Sequence, residues 1–178
     1  MPTTTYYTAT TLDGYIADPS ASLAWLFRQE QDTAGPLNAE EFIAGIGATV
    51  MGSTTYEWLQ REEPDWTMPQ ATWVMTSRSL PPDPRVQFAA GDVRTVHAEM
   101  ASVAGDKGIW VCGGGDLAGQ FADAGLLDEL IVYAAPVVLG AGRPLLPRRL
   151  DLELLETHRN GAFVASRYRV LGPLTEDQ

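Results

Sequence analysis

With one cysteine and two histidines in 178 residues, the sequence has little from which to build a metal centre and cannot close an internal disulfide. His97 and His158 are far apart in the chain, and Cys112 lies in an apolar run where a thiol is usually inert. No metal is expected, and a reducing compartment, the cytoplasm, suits the lone thiol. Positive charge is also scarce: 12 Lys and Arg stand against 23 Asp and Glu, a formal net charge of −11. So acidic a surface repels phosphate polyanions, which excludes nucleic acid and anionic membranes as general partners. Any phosphate must be held locally.

Long apolar stretches are missing too. No window approaches the roughly 20 apolar residues that cross a bilayer. The opening Met-Pro-Thr-Thr-Thr-Tyr-Tyr has neither the basic nor the apolar part of a secretion signal. There is no internal repeat, no low-complexity segment and no Pro/Gly/Ser linker, so a single domain over residues 1–172 with a flexible tail at 173–178 is expected. Spaced G-x-G-x-x-G glycines, a P-loop and a nucleophile elbow are absent as well.

What the chain does have is 45% hydrophobic residues in periodic runs, the composition of a folded protein. Thr- and Tyr-rich residues 4–11 read as a strand that ends at Leu12-Asp13-Gly14, with a long loop to Leu26. Asn38, with Glu41 three residues on, starts a helix of about three turns whose apolar face is Phe42, Ile43 and Ile46. Ala48–Met51, Ala71–Met75, Val86–Ala89 and Gly108–Cys112 read as strands. Val93, Val96, Met100 and Val103 mark one helix, and Leu117, Phe121 and Ala124 another. Leu130–Leu139 reads as a strand central to the sheet and covered on both faces. Leu152–His158 and Ala162–Val170 form a hairpin about Asn160-Gly161, a dipeptide suited to a type I′ turn, with a frayed end from Leu174. The order implies an α/β sheet, mainly parallel, closed by an antiparallel C-terminal hairpin.

Three segments could hold an anion. Gly113-Gly114-Gly115 lies between a strand and a helix, where bare amides can approach a pyrophosphate or the glycines can simply turn. Gly52-Ser53-Thr54-Thr55 offers hydroxyls and free amides at a helix start, as a phosphate site or as plain capping. Thr76-Ser77-Arg78 ends a strand with an arginine that is either a phosphate clamp or a lone surface cation. All three fall at the carboxyl ends of consecutive strands, the edge where open α/β sheets bind ligands.

Five pieces in this order carry a resemblance. They are Thr11-Leu12-Asp13-Gly14-Tyr15-Ile16-Ala17 with Leu23-Ala24-Trp25-Leu26, then Met51-Gly52-Ser53-Thr54-Thr55-Tyr56-Glu57, then Trp73-Val74-Met75-Thr76-Ser77-Arg78. Val111-Cys112-Gly113-Gly114-Gly115-Asp116-Leu117 follows, and Gly125-Leu126-Leu127-Asp128-Glu129-Leu130 leads to Pro136-Val137-Val138-Leu139-Gly140-Ala141-Gly142. The chain resembles the dihydrofolate-reductase-like superfamily, in particular stand-alone proteins similar to the C-terminal reductase domain of the bifunctional riboflavin biosynthesis deaminase/reductase.

The resemblance implies a three-layer α/β/α fold, NADPH as cofactor with NADH not excluded, and a homodimer. By position it places Ala9, Ile16 and Ala17 near the nicotinamide and Cys112, Gly113, Gly114, Gly115, Asp116 and Leu117 around its ribose and the pyrophosphate. Gly52, Ser53, Thr54 and Thr55 would hold the other phosphates, and Thr76, Ser77 and Arg78 the adenosine end. Many relatives carry Arg where this chain has Ser53. Asp116 would repel a pyrophosphate unless it points outward and caps its helix. The implied reaction is hydride transfer to a flat nitrogen heterocycle, a pteridine or a pyrimidine such as 5-amino-6-(5-phosphoribosylamino)uracil. Another small substrate, or nucleotide binding without catalysis, stays open.

Trp25, Phe42, Tyr56 and Trp66 are candidate stacking walls for such a ring or, equally, core aromatics. Glu40 and Glu41 are the candidate acids, although Glu41 also reads as a capping residue. The carboxylate context of the deaminase/reductase domain, Thr-x-x-x-Asp-x-Pro, does not occur.

Overall fold

The β-prone run Thr4–Thr11 (β1) becomes a central strand because both of its edges are taken. In the computed structural model, which describes residues 1–176, it pairs in parallel with Gly108–Gly113 (β6) on one side and Glu129–Ala135 (β7) on the other. Beyond β6 lie Ile46–Gly52 (β3), Ala71–Met75 (β4) and Gln87–Ala89 (β5), all parallel. Beyond β7 the hairpin of Leu150–Asn160 (β9) and Phe163–Pro173 (β10) is antiparallel, giving the order β5-β4-β3-β6-β1-β7-β10-β9. Tyr15–Ala17 (β2) pairs separately with Arg143–Pro144 (β8).

The period of two along these strands sorts side chains into two cores. Tyr6, Val50, Ile109, Val111 and Leu130 pack under the helices Val93–Ala104 (α4) and Gly115–Asp123 (α5). Their chain neighbours Tyr7, Met51, Cys112 and Ile131 face the other way. On that side lie Ala24–Phe27 (α1), Ala39–Ala44 (α2) and Ser53–Glu62 (α3). The result is the mixed, mostly parallel α/β/α sheet with a C-terminal hairpin. No helix among the described residues is long and apolar enough to cross a membrane.

Several local expectations give way to tertiary pairing. The helix after Asn38 has six residues rather than about three turns. Asn38 Oδ1 accepts the Glu41 N–H (2.9 Å), but Gly45 ends the helix and Ile46 joins β3 opposite Gly108. Val103 is 55% exposed, and His97 and Ala104 bury in α4 beside Val93, Val96 and Met100. The strand from residue 129 stops at Ala135, since Pro136 has no N–H to continue the ladder. It is covered on both faces but sits one strand off the centre, which β6 and β1 occupy. The hairpin turns on Gly161-Ala162 with Asn160 still paired to Phe163. Only Gly161 has positive φ there (+58°), the pattern of a type II′ turn and not I′. Of the expected tail, Pro173 closes β10, the Leu174 N–H donates to Arg149 O (3.0 Å), and residues 177 and 178 lie outside the described residues.

One buried group makes stability depend on pH. His97 Nε2 shares a hydrogen bond with Thr4 Oγ1 (2.9 Å), and burial holds the imidazole below its ordinary pKa against the opposing pull of Asp128. The unfolded chain therefore binds more protons once pH drops below the unfolded value of about 6.5, and stability is lost as pH falls. Melting curves between pH 7.5 and 5.5 should show a decline that His97→Asn flattens; parallel curves for the two proteins would remove His97 as the cause.

Candidate active site

The carboxyl ends of β1, β3 and β6 open on one edge, where the chain diverges into helices and leaves a cleft of about 840 Å³. Two of its walls are helix starts. Gly52 leads into α3 and Gly114 into α5, and neither helix has a side-chain cap. By contrast α2 and α4 are capped by Asn38 and Asp92. The first N–H groups of α3 and α5 thus have no side chain covering them, at the positive end of each helix dipole. The two turns abut: a Cβ on Gly52 would stand 3.7 Å from Gly113 O and 3.9 Å from Gly114 N.

Each of the three consecutive glycines has its own reason. Gly113 holds φ at +137°, which side chains rarely adopt. Gly115 packs against the carbonyl oxygens of Pro144 and Leu145, leaving no room for a Cβ. Gly114, joined to Gly113 by a cis peptide bond, has φ −79° and ψ −171°, and a Cβ there would meet only Ile16 Cδ1 at 3.7 Å. Nothing in the protein's own packing requires a glycine at Gly114.

Ala9, Ile16 and Ala17 line the cleft, as do Gly52, Ser53, Thr54 and Thr55 and the whole run Cys112, Gly113, Gly114, Gly115, Asp116 and Leu117. Burial pushes the Cys112 thiol up to about 12, so it is protonated and inert at neutral pH. Asp116 is exposed at the rim, where Gln120 Nε2 donates to it (2.9 Å) and Arg148 pairs with it (3.2 Å). These bonds hold its carboxyl below the usual range, and Arg148 lies across Gly119 to offset its charge.

Other expected residues lie elsewhere. Thr76, Ser77 and Arg78 are not among the cleft-lining residues, and Arg78 is paired with Glu57 (2.9 Å), whose side chain does line it. Tyr56 is buried and donates to Asp83 Oδ2 (2.9 Å). Asp83 is in turn paired with Arg85 (2.8 Å), whose guanidinium lies 4.6 Å over the Trp66 ring. That network ties two loops together away from the cleft. Trp25 is buried in the core with Tyr133 and Phe163, and Phe42 stacks on Tyr7 at 4.5 Å. Glu40 and Glu41 are exposed on α2 and do not reach the cleft.

The aromatic walls are instead Trp110 and Trp58. Trp110 was legible: in β6 it alternates with Ile109 and Val111, which face the opposite core. Trp58 is stacked on Phe27 (5.9 Å), a contact that no sequence spacing announces. Arg61 and Arg143 also line it, and among the described residues Arg143 has no ion-pair partner. A smaller annex of about 330 Å³ shares Thr8, Ala9 and Leu26 with the cleft. Among the described residues no three His, Cys, Asp or Glu side chains converge as a metal site.

Comparison with known proteins adds the lineage. Residues 2–162 match the family model described as the RibD C-terminal domain. The chain is 31% identical over 170 residues to YwjB of Bacillus subtilis (strain 168), an uncharacterized protein, covering 93% of this chain and 96% of that one. A structure described as a riboflavin biosynthesis protein from Shewanella sp. PV-4 superimposes with a TM-score of 0.81 at 22% identity, covering 94% of this chain and 98% of its own. Dihydrofolate reductase from Enterococcus faecalis, solved with NADP(H), superimposes with a TM-score of 0.60 at 15% identity, covering 95% and 96%. The last two likenesses establish the dihydrofolate-reductase-like fold.

Proposed function

The chain belongs to the RibD C-terminal domain family, and from that premise we propose that it is a nicotinamide-dependent reductase of a flat nitrogen heterocycle. The observation that carries this reading is the pair of abutting helix starts, each without a side-chain cap, beside a Gly114 whose own packing leaves its Cβ position open. Such a cradle suits a diphosphate. When bound, a dihydronicotinamide supplies a hydride.

The residues divide the remaining work. The N–H groups of α3 and α5, with Ser53 and Thr54, hold phosphate oxygens, and Arg143, without an ion-pair partner among the described residues, adds a cation at the rim. Ala9, Ile16 and Cys112 give the reacting end a small, apolar wall that excludes water. Glu57 and Asp116 are the carboxylates of the lining, and both are committed to arginines at the rim, which leaves neither as the proton donor. Two copies working in the cytoplasm are part of this reading.

With Ser53 uncharged, and Arg78 outside the cleft lining and paired to Glu57, the position where many relatives carry Arg offers a 2′-phosphate no charge of its own. Exposed pairs of this kind are weak, so NADPH and NADH should bind within about tenfold of each other. Separate titrations followed by tryptophan fluorescence check this, since Trp58 and Trp110 line the cleft. Saturable quenching by both nucleotides is the expected result. Absorbance at the reduced-nicotinamide band should then fall on adding a dihydropterin or an aminouracil. No saturable response to either nucleotide would sink the reading.

A further inference from the structure

We propose that the stacked rings of Phe27 and Trp58 form a size gate over the reacting end of the cleft, so that the acceptor is a compact ring without an extended substituent. The inference rests on the reductase reading and narrows its substrate class. The cleft and the smaller annex join at Thr8, Ala9 and Leu26, so whatever receives a hydride beside Ala9 sits at this join. Trp58 lines the cleft and Phe27 lines the annex, and their rings stack at 5.9 Å with planes 19° apart. The contact therefore stands where the two hollows meet, between α3 and α1, with Thr8 and Ala9 of β1 as the floor.

Neither ring is spent on the core. Trp25 and Leu26 root α1 in the cluster of Tyr133 and Phe163, while Tyr56 and Leu59 root α3 beside Met51 and Val74. Among the described residues, Phe27 and Trp58 join no core cluster, and neither has another aromatic partner. Phe27 is 65% exposed. Two large apolar rings that meet at the water boundary, each on an element already anchored by its neighbours, bridge a gap that α1 and α3 would otherwise leave open.

A ring at the join has little other room for a long substituent. The annex, about 330 Å³, takes one or two fused rings and not much more, and the bound nucleotide fills the length of the cleft. A chain that leaves between α1 and α3 has to part the stacked pair. Separating two such rings lowers an affinity by up to about tenfold, because their stacking is lost and both faces are wetted. A compact ring carries no such penalty.

The test uses two ligands with one ring system, 6-methylpterin and folate, which extends that methyl with a p-aminobenzoylglutamate tail. Each is titrated calorimetrically into full-length protein saturated with NADP⁺. Wild type should bind 6-methylpterin about tenfold more tightly than folate. Phe27→Ala, at an exposed position, should cut that ratio by about fivefold through tighter folate binding, and Trp58→Leu should cut it too. Phe27→Tyr keeps a ring in the stack and should keep the ratio. A merely structural role for the pair would weaken both ligands together and leave the ratio where it was. The proposal is overturned if folate binds wild type as tightly as 6-methylpterin, if neither ligand binds, or if the folded Phe27→Ala and Trp58→Leu proteins keep the wild-type ratio. That last result would assign the discrimination to repulsion between the acidic protein and the anionic tail. Failure of NADP⁺ to bind, read in the preceding titration, counts instead against the reductase reading.

Discussion

Gly114→Val is expected to weaken NADPH and NADH binding by at least about a hundredfold while leaving the free protein folded. Gly114 has φ −79° and ψ −171°, outside the region reserved to glycine, and its Cβ would make an ordinary contact with Ile16. The cost to the free protein is that of a poor N-cap residue, no more than about 1 kcal/mol. The branched side chain, however, occupies the mouth of the α5 N-terminus, where a diphosphate would have to approach within hydrogen-bonding distance; losing two charge-assisted bonds of about 1.5–3 kcal/mol each gives a change of this order. The neighbouring glycines serve as controls. Gly113→Ala forces a side chain into φ +137°, and Gly115→Ala drives a methyl into the carbonyls of residues 144 and 145. Both should lower the melting temperature, whereas Gly114→Val should act on nucleotide affinity. An unchanged Kd in Gly114→Val would mean that the cradle is not where the nucleotide binds.

Asn160→Ala should destabilise the protein by about 3 kcal/mol, a drop of roughly 6–12 °C in a chain of this size. Asn160 is 1% exposed, and its side chain ties the hairpin to the loop below it. Oδ1 accepts the Asp32 N–H (2.9 Å), while Nδ2 donates to Asp32 O (3.0 Å), Pro36 O (3.2 Å) and the Tyr133 hydroxyl (3.3 Å). Alanine removes both bonds to the Asp32 backbone and leaves a void in a buried place, while Tyr133 still donates to Pro36 O (3.0 Å). The Ala162 N–H adds a bond to Glu30 O (2.8 Å), so the turn clamps the loop between α1 and α2. Nucleotide affinity should hold in the folded variant, because Asn160 and its partners do not line the cleft. Calorimetry of unfolding checks the first effect and a nucleotide titration the second; a stability loss under about 1 kcal/mol would show that the clamp is dispensable.

The sequence alone determined most of the scaffold and the edge on which it opens. Strand periods, the Asn38 cap and the two strand–glycine–helix turns are signals among residues a few positions apart. Local signals of that kind survive folding, because backbone angles and caps depend on near neighbours. The tertiary structure decided which side chains remained available for a ligand. Tyr56 was claimed by Asp83, Arg78 by Glu57 and Asp116 by Arg148, partners 21–32 residues away. Asn160 left its expected turn position because Asp32, Pro36 and Tyr133 could satisfy its amide in the interior. An aromatic ring or a charge takes whichever partner gives it burial or a counter-ion, and that choice is made only when distant segments meet.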